Sequence, residues 1–222
     1  MPRRPRFSSG GYVFHVLNRG AGRQRLFDTD QDYDAFVGLL EQARQVVPMR
    51  LLAFCVMPNH WHLVLWPESD DSMSEYMRWL TVTHSQRWHA FRGSAGTGPV
   101  YQGRFKSFPV QEDEHFLTVC RYVERNALRA NLVKRAERWK WGSLWHWASS
   151  SAAVSLCDWP VPRPAEWIEQ VNQPQTEGEL SAIRQSITRG RPYGAATWVR
   201  ATANTLGLQS SLRSQGSPGR FA

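Results

Sequence analysis

Two histidines, His60 and His62, lie one residue apart in the apolar run VMPNHWHLVLW, residues 56–66. Successive side chains of a β-strand point to opposite faces, so residues i and i+2 share a face. In a strand, the two imidazoles would start about 7 Å apart, at a rise of roughly 3.3 Å per residue. Two imidazoles on one face can bind one divalent cation. The alternative is a pair of half-buried histidines that are hydrogen-bonded to neighbouring groups.

A tyrosine and an asparagine form a second pair, in the stretch RYVERNALRANLV. Tyr122 and Asn126 are four residues apart, which places them on one face of a predicted helix. The phenol of Tyr122 is a candidate nucleophile, and the amide oxygen of Asn126 is a neutral candidate ligand. Taken alone, a tyrosine is usually a core or interface residue, and Asn126 would be a helix-end residue.

The elements that must position these residues follow from the spacing of the apolar side chains. Their predicted order is strand, helix, two strands of a hairpin, helix, strand and helix, over residues 11–18, 30–46, 51–57, 60–66, 72–92, 104–110 and about 112–133. This β-α-β-β-α-β-α order predicts an α+β fold. The expected architecture is a ferredoxin-like antiparallel sheet with helices packed on one face.

The character of the chain changes after about residue 148. Residues 1–148 are predicted to form the catalytic domain. The Ser- and Pro-rich stretch SSSAAVSLCDWPVPRP indicates a linker. Short amphipathic segments follow, so residues 149–222 are predicted to form a linker and a C-terminal helical extension with a polar tail.

The charge of the chain points to a polyanionic partner. The formal net charge is +8 and the pI is about 9.9. Arginines make up 24 of the 27 basic residues. Arginine grips phosphate with two parallel hydrogen bonds and stacks on bases, although a GC-rich genome would produce the same bias. Nucleic acid is therefore the expected class of partner.

The composition also predicts a compartment. The basic N-terminus is not followed by the apolar stretch of a signal peptide, and no apolar run is long enough to cross a bilayer. The three cysteines, which are far apart and odd in number, form no disulfide framework. We therefore expect a cytoplasmic protein.

Four sequence blocks in one order connect these observations. HVLNRG, MPNHWH, YQGRF and RYVERNALRANLV resemble the single-tyrosine HUH transposases and, more closely, the REP-associated tyrosine transposases. The stretches RGRPYGAATWV and LGLQSSLR resemble the same branch, so the resemblance covers roughly residues 10–215. It departs from the family pattern at Asn126-Ala127, where Asn-Pro is common, and at Gly216-Ser217-Pro218, where Gly-Arg-Pro is expected.

The resemblance implies a fold, a reaction and a substrate. It implies an HUH domain in which His60, His62 and Asn126 bind Mg²⁺ or Mn²⁺. Tyr122 would attack the scissile phosphate of single-stranded DNA and form a 5′-phosphotyrosine. The substrate would be a palindromic REP hairpin in a bacterial cell, where the protein would be associated with the nucleoid. Such a protein could act as a monomer or as a homodimer.

A further set of polar side chains is expected to contact DNA. Its members are Arg3, Arg4, Arg6, Asn18, Arg19, Arg104, Lys106, Arg129, Arg189 and Arg191. Structural alternatives remain for most of them. Asn18 and Arg19 could stabilise a turn, Arg104 and Lys106 could be exposed charges on an edge strand, and RGRPYG could be a structural turn. Arg121, Arg125 and Arg129, spaced four apart, form either a solvated stripe or a DNA-facing stripe.

Three functions compete at this point. The first is a metal-dependent single-strand DNA endonuclease and strand transferase. The second is a domesticated hairpin-DNA-binding protein without cleavage activity. The third, a replication initiator or relaxase of the wider HUH group, is disfavoured because such proteins often carry a second tyrosine on the same helix.

Overall fold

The computed structural model describes residues 9–150 and 154–213. Arg3, Arg4 and Arg6, and the Gly216-Ser217-Pro218 stretch, lie outside the described residues.

The centre of the fold is a four-stranded sheet in the order β2-β3-β1-β4. Its strands are β1 (Val13–Arg19), β2 (Arg50–Met57), β3 (His60–Trp66) and β4 (Lys106–Val110). All three neighbouring pairs are antiparallel. This is the strand order of the ferredoxin-like fold, so the predicted antiparallel α+β architecture is confirmed.

Helices cover both faces of the sheet, whereas the sequence predicted one face. α1 (Asp30–Val46) and α2 (Ser72–Arg92) share a core with Phe14, Val16 and Trp61. Both helices are crossovers between strands that run in the same direction, and right-handed crossovers place them on the same face. α3 (Glu114–Glu124) follows the last strand and packs on the opposite face. The strands present apolar side chains on both faces, so a second covering layer is required.

α1 begins at a capping box. The Thr29 hydroxyl accepts a hydrogen bond from the backbone N–H of Asp32, and the Asp32 carboxylate accepts one from the backbone N–H of Thr29. These bonds satisfy backbone donors that the first turn of a helix leaves free. Thr29 is therefore the N-cap residue of α1.

A buried polar chain fixes β3 from the face opposite the histidine pair. Trp61, which lies between His60 and His62, donates its Nε1–H to the Tyr101 hydroxyl at 3.1 Å. The same hydroxyl is 2.7 Å from Nδ1 of His84 on α2. Because Trp61 is fully buried, this chain ties the strand of the histidine pair to α2.

The chain after α3 adds five α-helices to the described part of the structure. They are α4 (Asn126–Arg129), α5 (Ser143–Ala148), α6 (Trp167–Asn172), α7 (Glu177–Arg189) and α8 (Ala196–Thr205). Trp167, Leu180 and Ile183 are buried in the core that α3 covers. The predicted domain boundary at residue 148 stays a prediction.

Two arginines of α3 hold the C-terminal end of α6. Arg125 donates to the Val171 carbonyl at 2.9 Å, and Arg121 donates to the Pro174 carbonyl at 2.8 Å. Carbonyls at a helix C-terminus lack partners within the helix and carry partial negative charge, so they favour cations. Arg121 and Arg125 therefore both serve as contacts within the fold.

Segments from the C-terminal half also lie along the two edge strands. Beside β4, Tyr193 donates its N–H to the Pro109 carbonyl, and its own carbonyl accepts from Gln111 N–H, each at 2.9 Å. Gly190, at φ 68°, ends α7 and turns the chain toward this edge. These contacts support the structural-turn interpretation of RGRPYG.

Beside β2, the N–H of Cys157 donates to the Leu51 carbonyl, and the N–H of Val56 donates to the Trp141 carbonyl.

Among the described residues, none of the helices combines the length and the hydropathy that a membrane-spanning helix needs.

Candidate active site

The histidine pair lies at the start of β3, on the sheet face that α3 covers. The ring centres of His60 and His62 are 5.0 Å apart and the rings are nearly perpendicular. His62 is buried, and His60 is half-buried. The strand therefore brings both imidazoles to one face, as their spacing predicts.

Each imidazole uses its Nδ1 atom in a hydrogen bond to a neighbour. Nδ1 of His60 is 2.7 Å from the Asn59 side-chain oxygen, and Nδ1 of His62 is 2.9 Å from Nε2 of His15. The Nε2 atoms of both histidines are thereby left for another ligand. Outer partners of this kind orient histidines that bind metals.

Tyr122 lies over this pair. Its ring meets the His62 ring edge to face, with centres 5.7 Å apart, and its centre is 6.2 Å from that of His15. Only 7% of the Tyr122 side chain is exposed. α3 places the phenol here because it crosses the sheet face that carries β1 and β3. The predicted nucleophile and the predicted histidine pair are therefore neighbours.

Arg129 joins Tyr122 to Asn126. Its guanidinium carbon is 4.2 Å from the centre of the Tyr122 ring, and its Nη2 donates to the Asn126 side-chain oxygen at 2.9 Å. The buried Nδ2 of Asn126 and Nη1 of Arg129 have no hydrogen-bond partner among the described residues. Both groups therefore keep hydrogen-bonding capacity that the described residues do not use.

The helix geometry around Asn126 differs from the prediction of one continuous helix. α3 ends at Glu124, and Asn126 opens the separate turn α4. Arg125 between them keeps right-handed helical angles, so Asn126 stays one turn beyond Tyr122. The break between the two helices is at Arg125, before Asn126. It therefore precedes Ala127, the position at which proline is common in the family.

Burial keeps the histidines neutral. Burial, together with the positive charges of Arg19 and Arg129, lowers the pKa of His60 to about 4. Burial also lowers the pKa of His15 to about 3 and that of His62 well below its ordinary value. Neutral imidazole is the form that binds metal ions, so His60 and His62 have the protonation state of metal ligands at pH 7.

The donor set fits a divalent cation. The predicted ligands, two Nε2 lone pairs and one amide oxygen, carry no charge. Imidazole nitrogens are ligands that Mn²⁺ accepts readily, whereas Mg²⁺ is usually bound by oxygen atoms alone.

A second cluster, Asp113, Glu114 and His115, brings ligand atoms within 4.8 Å of one another. Its geometry is that of a helix cap, because the Asp113 carboxylate accepts from the backbone N–H of His115 and lies 2.8 Å from Nδ1 of the same residue.

Three of the predicted DNA contacts lie beside the histidine pair or near it. Arg19 pairs with His60 in the β1–β3 register. Together with Arg104, Lys106 and Ile187 it lines a cleft of about 300 Å³. Arg104 and Lys106 are exposed at the rim of this cleft. The cleft therefore has a positive rim at the end of the sheet where His60 lies.

Other predicted contacts are used within the fold. Asn18 is buried, donates to the Gly103 carbonyl at 3.2 Å and accepts from the Arg19 backbone N–H, which supports its turn-stabilising alternative. Arg191 donates to the Gln185 side chain, and Arg189 donates to the Arg213 carbonyl. DNA contacts by these three residues stay predictions.

A larger groove continues from the cleft onto the other sheet face. It measures about 690 Å³ and lies between α2 and residues 99–105. Met77, Val82 and Phe105 give it an apolar wall, and Arg78 is exposed at its edge. Its lining has no aspartate or glutamate, and it shares residues Asn18, Gly103 and Arg104 with the cleft.

Sequence reasoning missed His15 and the groove. His15 stands in the quoted block HVLNRG, and a polar residue within an apolar strand signals a buried partner. The groove had no such signal, because its walls come from two segments that the fold alone brings together.

Comparisons with known proteins agree with this geometry. Residues 9–126, more than half of the chain, match the family described as Transposase IS200 like. A protein of Haemophilus influenzae described as a REP-associated tyrosine transposase is 21% identical over 146 residues, which cover 62% of this chain and 81% of that protein. A solved structure of a REP-associated tyrosine transposase bound to a REP hairpin superposes with a TM-score of 0.54 at 19% identity. That match covers 70% of this chain and 88% of the solved one.

These matches confirm the resemblance drawn from the four sequence blocks, and the likeness to the solved structure confirms the fold. The family match includes β1, the histidine pair, Tyr122 and Asn126. The chain belongs to the IS200-like transposase family.

Proposed function

We propose that this chain is a metal-dependent endonuclease and strand transferase that acts on single-stranded REP-type hairpins. The observation that carries the proposal is the approach of Tyr122 to the histidine pair, with 5.7 Å between the Tyr122 and His62 ring centres. A nucleophile beside two neutral imidazoles suits attack on a metal-bound phosphate.

The reaction forms one ester and breaks another. The Tyr122 oxygen attacks the scissile phosphorus, the bond from phosphorus to the 3′ oxygen breaks, and a 5′-phosphotyrosine results. The phenol loses a proton and the departing 3′ oxygen gains one, so no nucleotide cofactor is consumed. A later attack by a 3′ hydroxyl on the phosphotyrosine reverses the bonds and joins strands. Arg129 offers N–H donors and positive charge where negative charge moves between the two oxygens.

His60, His62 and Asn126 would hold the metal ion. Transposases of this family generally use a divalent metal ion. Bound Mg²⁺ or Mn²⁺ supplies charge neutralisation at a non-bridging phosphate oxygen. The protein's part is to present both Nε2 atoms from one strand face and the amide oxygen from α4.

The positive cleft and the apolar groove would bind the DNA. Arg19, Arg104 and Lys106 suit the phosphates near the scissile bond, because arginine and lysine neutralise phosphate charge. The groove between α2 and residues 99–105 suits unpaired bases, which stack on apolar and aromatic walls. The solved relative's REP hairpin supports a hairpin as the paired part of the substrate.

Covalent trapping tests the proposal. The protein is mixed with end-labelled single-stranded hairpins that carry unpaired flanks, with Mn²⁺ or Mg²⁺, and run on a denaturing gel. We expect a metal-dependent adduct that disappears in Tyr122→Phe and His60→Ala. Tyr12→Phe, immediately before β1, is the matched tyrosine control and should keep the adduct. The labelled end that stays with the protein reports the polarity of cleavage.

A second function, hairpin binding without cleavage, has one observation in its favour. Tyr122 is only 7% exposed, so little of the proposed nucleophile is open to a phosphate. Tight hairpin binding without an adduct in either metal would establish that function and contradict the proposed one.

A further inference from the structure

A third imidazole, that of His15, lies behind the histidine pair. We propose that His15 is a positioning residue that holds His62 with its Nε2 atom toward the metal ion. The proposal rests on the proposed function, because it assigns a role at the same metal site. Its basis is the 2.9 Å contact between His15 Nε2 and His62 Nδ1 in the buried interior.

The β-sheet register creates this contact. His15 pairs with Val64 and His62 pairs with Leu17, so the two histidines are diagonal neighbours on one face of β1 and β3. Diagonal side chains on adjacent strands are within reach of each other when they are aromatic or long. His15 is 0% exposed, and its ring centre is 4.8 Å from that of Phe108 on β4. The ring is therefore held by strands on both sides.

The contact couples the tautomers of His15 and His62, because the proton between the two facing nitrogens belongs to one ring or the other. One proton serves the bond between His15 Nε2 and His62 Nδ1. When that proton is on His62 Nδ1, the His62 N–H donates a hydrogen bond to His15 Nε2. The lone pair of His62 Nε2 is then available to a cation. Histidines that bind metals usually donate the other ring N–H to a fixed acceptor, commonly a carboxylate or a carbonyl. Here a neutral imidazole takes that place, so the site keeps the full charge of the ion for phosphate.

His60 has a different outer partner. Its Nδ1 lies against the Asn59 side chain in the turn that precedes β3, in a half-buried position. His62 is buried among the rings of His15, His60 and Tyr122, so water is not available to hydrogen-bond its Nδ1 atom. His62 therefore depends more than His60 on a hydrogen-bond partner within the protein, and His15 is that partner.

Metal affinity measured without DNA tests the role. Mn²⁺ binding to the full chain can be followed by electron paramagnetic resonance of the free ion. For His15→Phe, which fills the space but removes the nitrogen, we expect Mn²⁺ affinity to fall about 10- to 100-fold. His15→Gln, which can place an acceptor near the same point, should recover part of the loss. Hairpin binding in EDTA should be unchanged in both variants.

The outcomes separate this inference from the proposed function. If His60→Ala binds Mn²⁺ as well as the parent chain, the metal site itself is elsewhere and the proposed function fails. If His60→Ala abolishes binding while His15→Phe leaves it unchanged, only the role of His15 is overturned. Should His15→Phe not fold, imidazole ¹⁵N spectra of the parent chain with Mg²⁺ give the answer. A proton on His62 Nδ1 supports the role, and a proton on Nε2 overturns it.

Discussion

At the residue scale, Arg129 contacts two members of the candidate active site, Tyr122 and Asn126. It was expected to contact DNA, yet its guanidinium lies on the Tyr122 ring and donates to the Asn126 oxygen. Both contacts are to predicted catalytic or metal-binding groups. Its effect on the reaction should therefore exceed its effect on DNA affinity.

We predict that Arg129→Gln lowers the yield of the covalent adduct by about 10²-fold, because it removes a charged donor from the reacting groups. Hairpin affinity should change by less than a few-fold. Arg138→Gln, an exposed arginine outside the site, is the matched control. The two readouts are adduct formation and gel-shift binding with the same hairpin. An equal loss in both would show that Arg129 acts as an ordinary phosphate contact.

Residue types and spacing were enough to find part of the site. The His-x-His pair and the four-residue interval from Tyr122 to Asn126 determine which side chains share a face. His15 was not predicted, because its contact with His62, 47 residues away in the chain, depends on the register between their two strands. A single sequence carries no direct signal for that register.

At the element scale, α3 is held in place by the buried carboxylate of its own last residue, Glu124. Glu124 accepts hydrogen bonds from Ser143 of α5 and Trp167 of α6, each at 2.6 Å. Burial raises the pKa of Glu124, while the charge of Arg163 and the two donors oppose that shift. The end of the helix that carries Tyr122 is thus tied to two helices of the C-terminal half.

We predict that Glu124→Gln lowers the free energy of unfolding by about 1–3 kcal/mol, because an amide N–H₂ would then face a buried donor. Urea denaturation followed by circular dichroism measures the change. Glu177→Gln, exposed in the first turn of α7, is the control and should stay within about 0.5 kcal/mol. An equally small change in Glu124→Gln would contradict a structural role for this carboxylate.

The long elements were predictable and the short ones were not. α1 and α2 show clear apolar periodicity, and their bounds agree closely with those expected. α4 and α5 have four and six residues, too few for a periodic pattern to appear. The second layer of helices was also missed, because strand sequences that are apolar on both faces were interpreted as a sheet with one covered face.

At the scale of the whole molecule, buried histidines make stability depend on pH. Burial lowers the pKa of His84 to about 4, and it acts in the same direction on His15 and His60. Between pH 6.5 and about 4 the unfolded chain binds protons that the folded chain does not. The free energy of unfolding is therefore highest above pH 6.5 and falls as the pH drops through this window.

We predict that His84→Gln flattens this slope by about 1.4 kcal/mol per pH unit, the value for one proton. Urea denaturation in EDTA at several pH values from 7.5 to 4.5 measures the slope. His89→Gln, on the same helix nearer the surface, is the matched control. A His84→Gln slope identical to that of the parent chain would show that His84 titrates alike in both states.

The groove between α2 and residues 99–105 gives a prediction about substrate length. We expect Arg78→Ser with Val82→Asp to weaken binding of a hairpin with an unpaired flank about tenfold, through lost phosphate contact and lost stacking. Binding of the bare hairpin should be unchanged. Arg200→Ser, exposed on α8, is the control. Equal weakening for both DNAs would place the flank elsewhere.

The segments that lie along β2 and β4 have a consequence for self-association. An open sheet edge is a template on which a strand of another molecule can add, and such growth leads to aggregates. Here Tyr193 occupies backbone groups beside β4, while Trp141 and Cys157 occupy groups along β2. Two copies of the chain cannot join their sheets at these positions into one continuous sheet. A homodimer that leaves these contacts in place would be built from groups outside the occupied positions, such as helix and loop side chains.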